Sequence, residues 1–129
     1  METQKIIITG GATRIGAEIA ESLANDKNQI TIHYNKSKKK AEQLRNILEK
    51  KGSKIFLIKA DLNKISELNK IINFANEKMK GLNCLINNAS LFENDSIKNF
   101  SIEKWNKHLN INLRAPVILI KIIIYSLTE

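Results

Sequence analysis

At 129 residues with 43% hydrophobic content, the chain has room for one globular domain with its own core and not for two. The formal charge of +8 favours anionic partners, although lysines scattered over amphipathic helices give the same total. The one dense run, Lys36, Lys38, Lys39 and Lys40, has no aromatic side chains interleaved to stack on bases, which argues against a nucleic-acid surface.

The stretch TGGATRIG, Thr9 to Gly16, follows the apolar run Lys5-Ile6-Ile7-Ile8. A β-branched run, glycines, and then Ile15, Ile19, Ala20 and Leu23 at helical spacing predict a strand, a tight turn and a helix N-terminus. Main-chain N–H groups and the positive end of the helix dipole would there face an anion, the alternative being an ordinary glycine turn. Gly10 allows the turn to close, and Gly16 allows the helix to pack closely on the strand or a ligand. Gln29 to Tyr34 (QITIHY) is the next strand, followed by a helix marked by Ala41, Leu44, Ile47 and Leu48 that closes near Gly52. Lys54 to Lys59 (KIFLIK) is a third strand, and Ile65, Leu68, Ile71, Ile72, Ala75 and Met79 form a helical stripe ending at Gly81. Asn83 to Ile86 is a fourth strand. Short β-branched strands separated by helices imply a parallel sheet covered on both faces, a doubly wound Rossmann-type α/β fold.

From Ser101, a candidate N-cap, one long helix is expected through Trp105, Leu109, Leu113, Val117, Ile120, Ile124 and Leu127, with Ile118, Ile122 and Tyr125 as a second apolar face. The start METQKIII lacks the basic flank and apolar core of a signal peptide. The most apolar stretch, Ala115 to Leu127, is interrupted by Lys121 and shorter than the roughly 20 residues that span a bilayer. The single cysteine, Cys84, has no internal disulfide partner. A soluble cytoplasmic domain, residues 1–129, with no membrane segment is the expectation. His33 and His108 lack neighbouring ligands for a metal site.

Five motifs together resemble the short-chain dehydrogenase/reductase family, and more narrowly its pteridine reductase-like branch: TGGATRIG, HYNKS at His33 to Ser37, ADL at Ala60 to Leu62, NNASLF at Asn87 to Phe92, and NLRAP at Asn112 to Pro116. The resemblance implies an NADPH-dependent oxidoreductase that transfers hydride to a C=O or C=N bond of a small, pterin-like substrate. Gly10, Thr13, Arg14, Ile15 and Gly16 would hold the cofactor phosphates, with Arg14 where the family often has glycine. Asn35, Lys36 and Ser37 stand where an NAD-preferring domain carries an acid, and lysine with small polar donors suits a 2′-phosphate, so NADP(H) is expected over NAD(H). Asp61 and Leu62 would meet the adenine, although Asp61 also reads as a helix N-cap ahead of Lys64. Asn88, Ala89 and Ser90 would line the ribose and nicotinamide, and Phe92 would stack the substrate.

Asn112 resembles the asparagine of the family's Asn-Ser-Tyr-Lys catalytic set, whose carbonyl holds a proton-relay water. Independently, Pro116 has no N–H, so in a helix the carbonyl of Asn112 would lack its donor four residues on. Arg114 stays open between a surface and a cofactor-side role. The family's catalytic serine, tyrosine and lysine would follow the long helix. Tyr34 and Lys38 match Y-x-x-x-K but fall too early in the fold, and Tyr125 is followed four residues later by Glu129. The expectation is the N-terminal half of a reductase, truncated after the long helix, its fourth strand left as an unpaired edge and the chain alone inactive. The alternative is a non-catalytic NADP(H)-binding module or an inactive truncated product. Association into a homo-oligomer through the helix at 101–128 is a further expectation from the family.

Overall fold

The computed structural model describes residues 3–128. Met1, Glu2 and Glu129, cited above for the chain start and for the Tyr125 spacing, lie outside them. Within the described residues the order is β1 (Lys5–Ile8), α1 (Arg14–Leu23), β2 (Gln29–Tyr34), α2 (Lys38–Lys50), β3 (Lys54–Lys59), α3 (Ile65–Met79), β4 (Cys84–Ile86), α4 (Ile102–Leu109), a π-helical turn (Asn110–Arg114) and α5 (Ala115–Leu127).

The strands form one parallel sheet in the order β3-β2-β1-β4, with Ile8 level with Ile32 on one side and Ile86 on the other. Side-chain alternation along each strand feeds two cores. Ile6 and Ile8 of β1 point with Ile30, Ile32 and Ile55 toward Ala20 of α1 and Ala41, Leu44 and Leu48 of α2. Ile7 and Ile58 point the other way, toward Leu68, Ile71 and Ala75 of α3 and Ala115 and Leu119 of α5. Fully burying such an isoleucine is worth about 1.5–3 kcal/mol, which is why a four-residue run suffices for β1. The sheet grows one way from β1 to β3 and then reverses to place β4 on the other side of β1. That reversal opens a crevice beyond the C-terminal ends of the strands.

All four strands stand where the sequence places them, the fourth one residue shorter. The long helix differs in detail. Ser101 caps α4 as expected, its Oγ accepting from the Lys104 N–H at 3.2 Å. The helix then widens into the π turn ahead of Pro116, an insertion that re-aims the side chains on either side of it. Its buried line is Ala115 and Leu119, flanked by half-buried Ile111, Ile118, Ile122 and Ile123. Tyr125 is not on the packed face but 63% exposed, because the residues level with the core there are Ile122 and Ile123. The opposite line, Trp105, Leu109, Leu113, Val117, Ile120, Ile124 and Leu127, is exposed throughout. Counted as one helix, Ile102–Leu127 is 26 residues and is long and apolar enough to cross a membrane by length and composition alone. The argument from the shorter stretch Ala115 to Leu127 therefore does not hold by length.

Candidate cofactor-binding site

The crevice is a cleft of about 1110 Å³ lined by the segments that follow all four strands: Gly10 and Ala12 to Ile15, Asn35 to Ser37, Asp61 and Leu62, and Asn88 to Leu91. This exceeds the roughly 300–1,000 Å³ that suits drug-sized ligands and fits something as long as a dinucleotide. A smaller hollow of about 590 Å³ on α1, between Arg14, Ile15, Glu18, Ile19 and Ser22, reaches none of the other strand ends.

Gly10 turns the chain at φ +60, in the left-handed region. A Cβ on Gly16 would lie 2.3 Å from the Gly10 carbonyl oxygen and 2.6 Å from Asn88 Nδ2, so this glycine packs α1 against the turn and the β4 loop rather than against a ligand. The N–H groups of Gly10 and Gly11 are already used, by His33 Nδ1 at 3.0 Å and the His33 carbonyl at 3.1 Å. The donors left for an anion are the first-turn amides of α1, from Arg14 to Gly16, which have no intrahelical acceptor. Thr13 is the extended N-cap of that helix, and its side chain makes no capping hydrogen bond. Arg14 takes φ +52, which explains why glycine suits this position, and its exposed guanidinium makes no hydrogen bond or ion pair among the described residues. Ile15 is exposed at the cleft mouth.

Asn35, Lys36 and Ser37 join β2 to α2 and line the cleft together with Lys40, with no acid from Gln29 to Ala41. Asp61 does not cap α3. The N-cap is Lys64, and the Asp61 carboxylate instead accepts the Asn63 N–H at 2.9 Å in a local turn. Leu62 is buried, a core residue that also shows one edge to the cleft. Asn88 lines the cleft, with its side-chain Nδ2 engaged by the carbonyls of Thr9 at 3.0 Å and Gly10 at 3.1 Å. Thr9 reciprocates, its hydroxyl accepting the N–H groups of Asn88 and Ala89, both at 3.0 Å. Ala89 and exposed Ser90 continue the lining beside β4.

Phe92 is not brought into the cleft. It is 81% exposed, whereas its neighbours Leu91 and Glu93 line the cleft. Main-chain anchors hold that alternation: Asn112 grips Leu91, and His108 Nε2 accepts the Glu93 N–H at 3.0 Å while its Nδ1 donates to the Lys104 carbonyl at 2.7 Å. Arg114 serves neither role left open for it, since its Nη2 donates to the Asn63 carbonyl at 2.8 Å and ties the π turn to the loop after β3.

Two brackets were not legible as such in the sequence. Thr9 is one. His33 is the other: its Nδ1 faces the Gly10 N–H and its Nε2 lies 2.8 Å from the Ala60 carbonyl. Burial pushes the His33 imidazole below its ordinary value, against the Ala60 hydrogen bond and the carboxylates of Asp61 and Glu67, which act the other way. Burial also pushes the Cys84 thiol up, so that side chain is no activated nucleophile.

A parallel sheet whose strand-end crevice is lined by a glycine turn at a helix N-terminus defines a Rossmann-type nucleotide-binding domain. The chain belongs to the short-chain dehydrogenase family, matching it over residues 4–129. It is 30% identical over 128 residues to the 3-oxoacyl-[acyl-carrier-protein] reductase of Buchnera aphidicola subsp. Baizongia pistaciae, covering 98% of this chain and 51% of that one. Among solved structures it is similar to a short-chain dehydrogenase from Burkholderia cenocepacia J2315 in complex with NADP, with a TM-score of 0.90 and 29% identity over 95% of this chain and 50% of that one. It is also similar to the FolM alternative dihydrofolate reductase 1 of Brucella canis complexed with NADP, with a TM-score of 0.82 and 30% identity over 93% and 48%. The chain spans about half the length of these relatives.

Proposed function

We propose that the chain carries the NADP(H) site of a short-chain reductase that transfers hydride to a C=O or C=N bond of a small, planar, pterin-like substrate. The observation that carries this reading is the β2–α2 segment. It brings Asn35, Lys36, Ser37 and Lys40 to the cleft with no carboxylate to repel a 2′-phosphate. The likeness to two NADP-bound structures supports it, and the reductase from Brucella supports the pterin-like substrate.

The first turn of α1 and Arg14 hold phosphate, Lys36 and Ser37 take the 2′-phosphate, and Asp61 with Leu62 borders the adenine. Ala89 and Ser90 line the nicotinamide end, where Leu91 and Ile111 give an apolar wall that limits water. The chemistry that NADPH supplies when bound is a hydride. Asn112 offers its carbonyl to a water, because Pro116 has no N–H to satisfy it and the π turn already opens the helix there. We assign the reaction to the reducing cytoplasm on the strength of the unpaired Cys84, and the exposed face of α4 and α5 to contact with a second copy.

A second reading, an NADP(H)-binding module without turnover, is favoured by the placement of Tyr34 and Lys38. This Y-x-x-x-K pair sits at the end of β2, with β1 between it and the Ser90 side of the cleft. Calorimetric titration with NADPH and NADH tests the cofactor assignment. A preference for NADPH of roughly 10- to 100-fold is expected from the charge-assisted contacts, and equal affinity would remove it. Oxidation of NADPH in the presence of dihydropterins separates the two readings.

A further inference from the structure

His33 touches two of the four segments that line the cleft, and no step of the proposed reaction uses it. His33 is 2% exposed. A main-chain N–H can only donate and a carbonyl can only accept, so Nδ1 accepts from Gly10 and Nε2 carries the proton given to Ala60. The imidazole is therefore neutral and in one tautomer. Its own carbonyl accepts the Gly11 N–H, and the N–H of Ala60 donates back to the Tyr34 carbonyl at 3.0 Å. One side chain thus holds both the glycine turn and the segment that presents Asp61.

We propose that His33 is a positioning residue that ties dinucleotide affinity to its own protonation, because a proton on Nδ1 would face the Gly10 N–H donor against donor. The proposal rests on the NADP(H) reading above. Without its acceptor the Gly10 N–H is left unpaired, the turn at φ +60 keeps only the bonds from Asn88 Nδ2 to the Gly10 carbonyl and from the Gly11 N–H to the His33 carbonyl, and the amides that follow at the start of α1 are held less firmly in their common direction. The charged groups that face the ring are Asp61 after β3 and Glu67 of α3, both of which draw a proton toward it. The glycine turn presents a donor and no charge. Burial opposes the two carboxylates, so the device stays closed near neutral pH and opens on acidification.

The test is the dissociation constant of NADP+ measured by calorimetry from about pH 8 to about pH 5 on the wild-type chain and on His33→Asn and His33→Gln. The Asn amide oxygen stands near the position of Nδ1, accepts from Gly10 and does not titrate, whereas Gln reaches toward Ala60 instead. Wild-type affinity is expected to fall in acid toward about tenfold per pH unit below the imidazole's own pKa. H33N should keep only the shallower change that comes from the 2′-phosphate itself, and H33Q should bind roughly two- to tenfold more weakly even at high pH, the worth of one neutral hydrogen bond. Identical pH profiles for wild type and H33N would overturn the role of His33 while leaving the cofactor site intact. Absence of NADP+ binding by the wild type at pH 8 would instead overturn the cofactor reading and the inference with it. Hydrogen exchange at the Gly10 amide of the wild-type chain needs no variant: on acidification through the His33 titration its rate should fall less steeply than hydroxide concentration, and an exchange rate that follows hydroxide alone would also overturn the proposal.

Discussion

The side chain of Asn112 closes a two-way clasp on the main chain of Leu91, its Oδ1 accepting the Leu91 N–H at 2.7 Å and its Nδ2 donating to the Leu91 carbonyl at 2.9 Å. The clasp engages both ends of the amide, so the residue's side chain is structural. It also joins the π turn to the cleft wall beside β4. Asn112→Ala removes two hydrogen bonds at a partly solvated site and is expected to cost roughly 1–2 kcal/mol in denaturant unfolding. The Leu91 amide should exchange faster while the β1 amides stay protected. Unchanged exchange at Leu91 would mean that the loop is held by its other anchor, His108.

Gly16 gives the sharpest steric prediction. An added Cβ would meet the Gly10 carbonyl, Asn88 Nδ2 and the Gly11 Cα, all at 2.8 Å or less, and two of the three are backbone. Neither strand end can withdraw, because Thr9 and Asn88 are bonded to each other. Gly16→Ala should therefore cost about 3 kcal/mol, the sum of overpacking and a displaced Asn88 hydrogen bond. A denaturation midpoint within error of the wild type would show that the turn yields after all.

The strands were legible because β-branched runs such as Ile6-Ile7-Ile8 report burial on both faces without reference to anything distant. The cleft was legible for the same reason that the fold was: each lining segment directly follows a strand. What escaped was every feature fixed by bonds across the chain. His33 acts through partners 23 and 27 residues away, and no local pattern distinguishes it from a buried core histidine. The outward turn of Phe92 depends on anchors supplied by Asn112 and His108, so its place in the motif did not reveal its direction. Pro116 signalled a missing main-chain donor inside one long helix, but the π turn lies before it, and nothing in Asn110 to Arg114 announces the extra residue.

Stability should depend on pH through His33 even without a cofactor. Burial lowers its pKa in the folded state from the ordinary 6.5, so as pH drops below that value the unfolded chain binds a proton that the folded chain does not. The contribution is complete above 6.5 and is lost as pH falls toward the lowered value. The slope for one proton is at most about 1.4 kcal/mol per pH unit. Urea unfolding of wild type and H33N at matched pH isolates it: the difference between them should shrink on acidification through this window. A constant difference would mean that the ring titrates alike in both states.

Arg14 sets backbone strain against ligand binding at one position. Its φ of +52 is a conformation that costs a non-glycine residue about 1–2 kcal/mol, and glycine is free of that cost. Part of the gain is offset because glycine loses more freedom on folding, so Arg14→Gly is expected to stabilise the chain by about 1 kcal/mol. The same change deletes a cation at the mouth of the cleft, and NADPH affinity should fall roughly tenfold. Paired unfolding and calorimetry on the one variant check both halves. A loss of stability would show that the arginine side chain packs well enough to outweigh its backbone. Unchanged NADPH affinity would remove the guanidinium from the phosphate site and leave the first-turn amides of α1 to hold the anion alone. If NADPH and NADH weaken together, Arg14 serves the pyrophosphate they share; if NADPH alone weakens, it joins Lys36 at the 2′-phosphate.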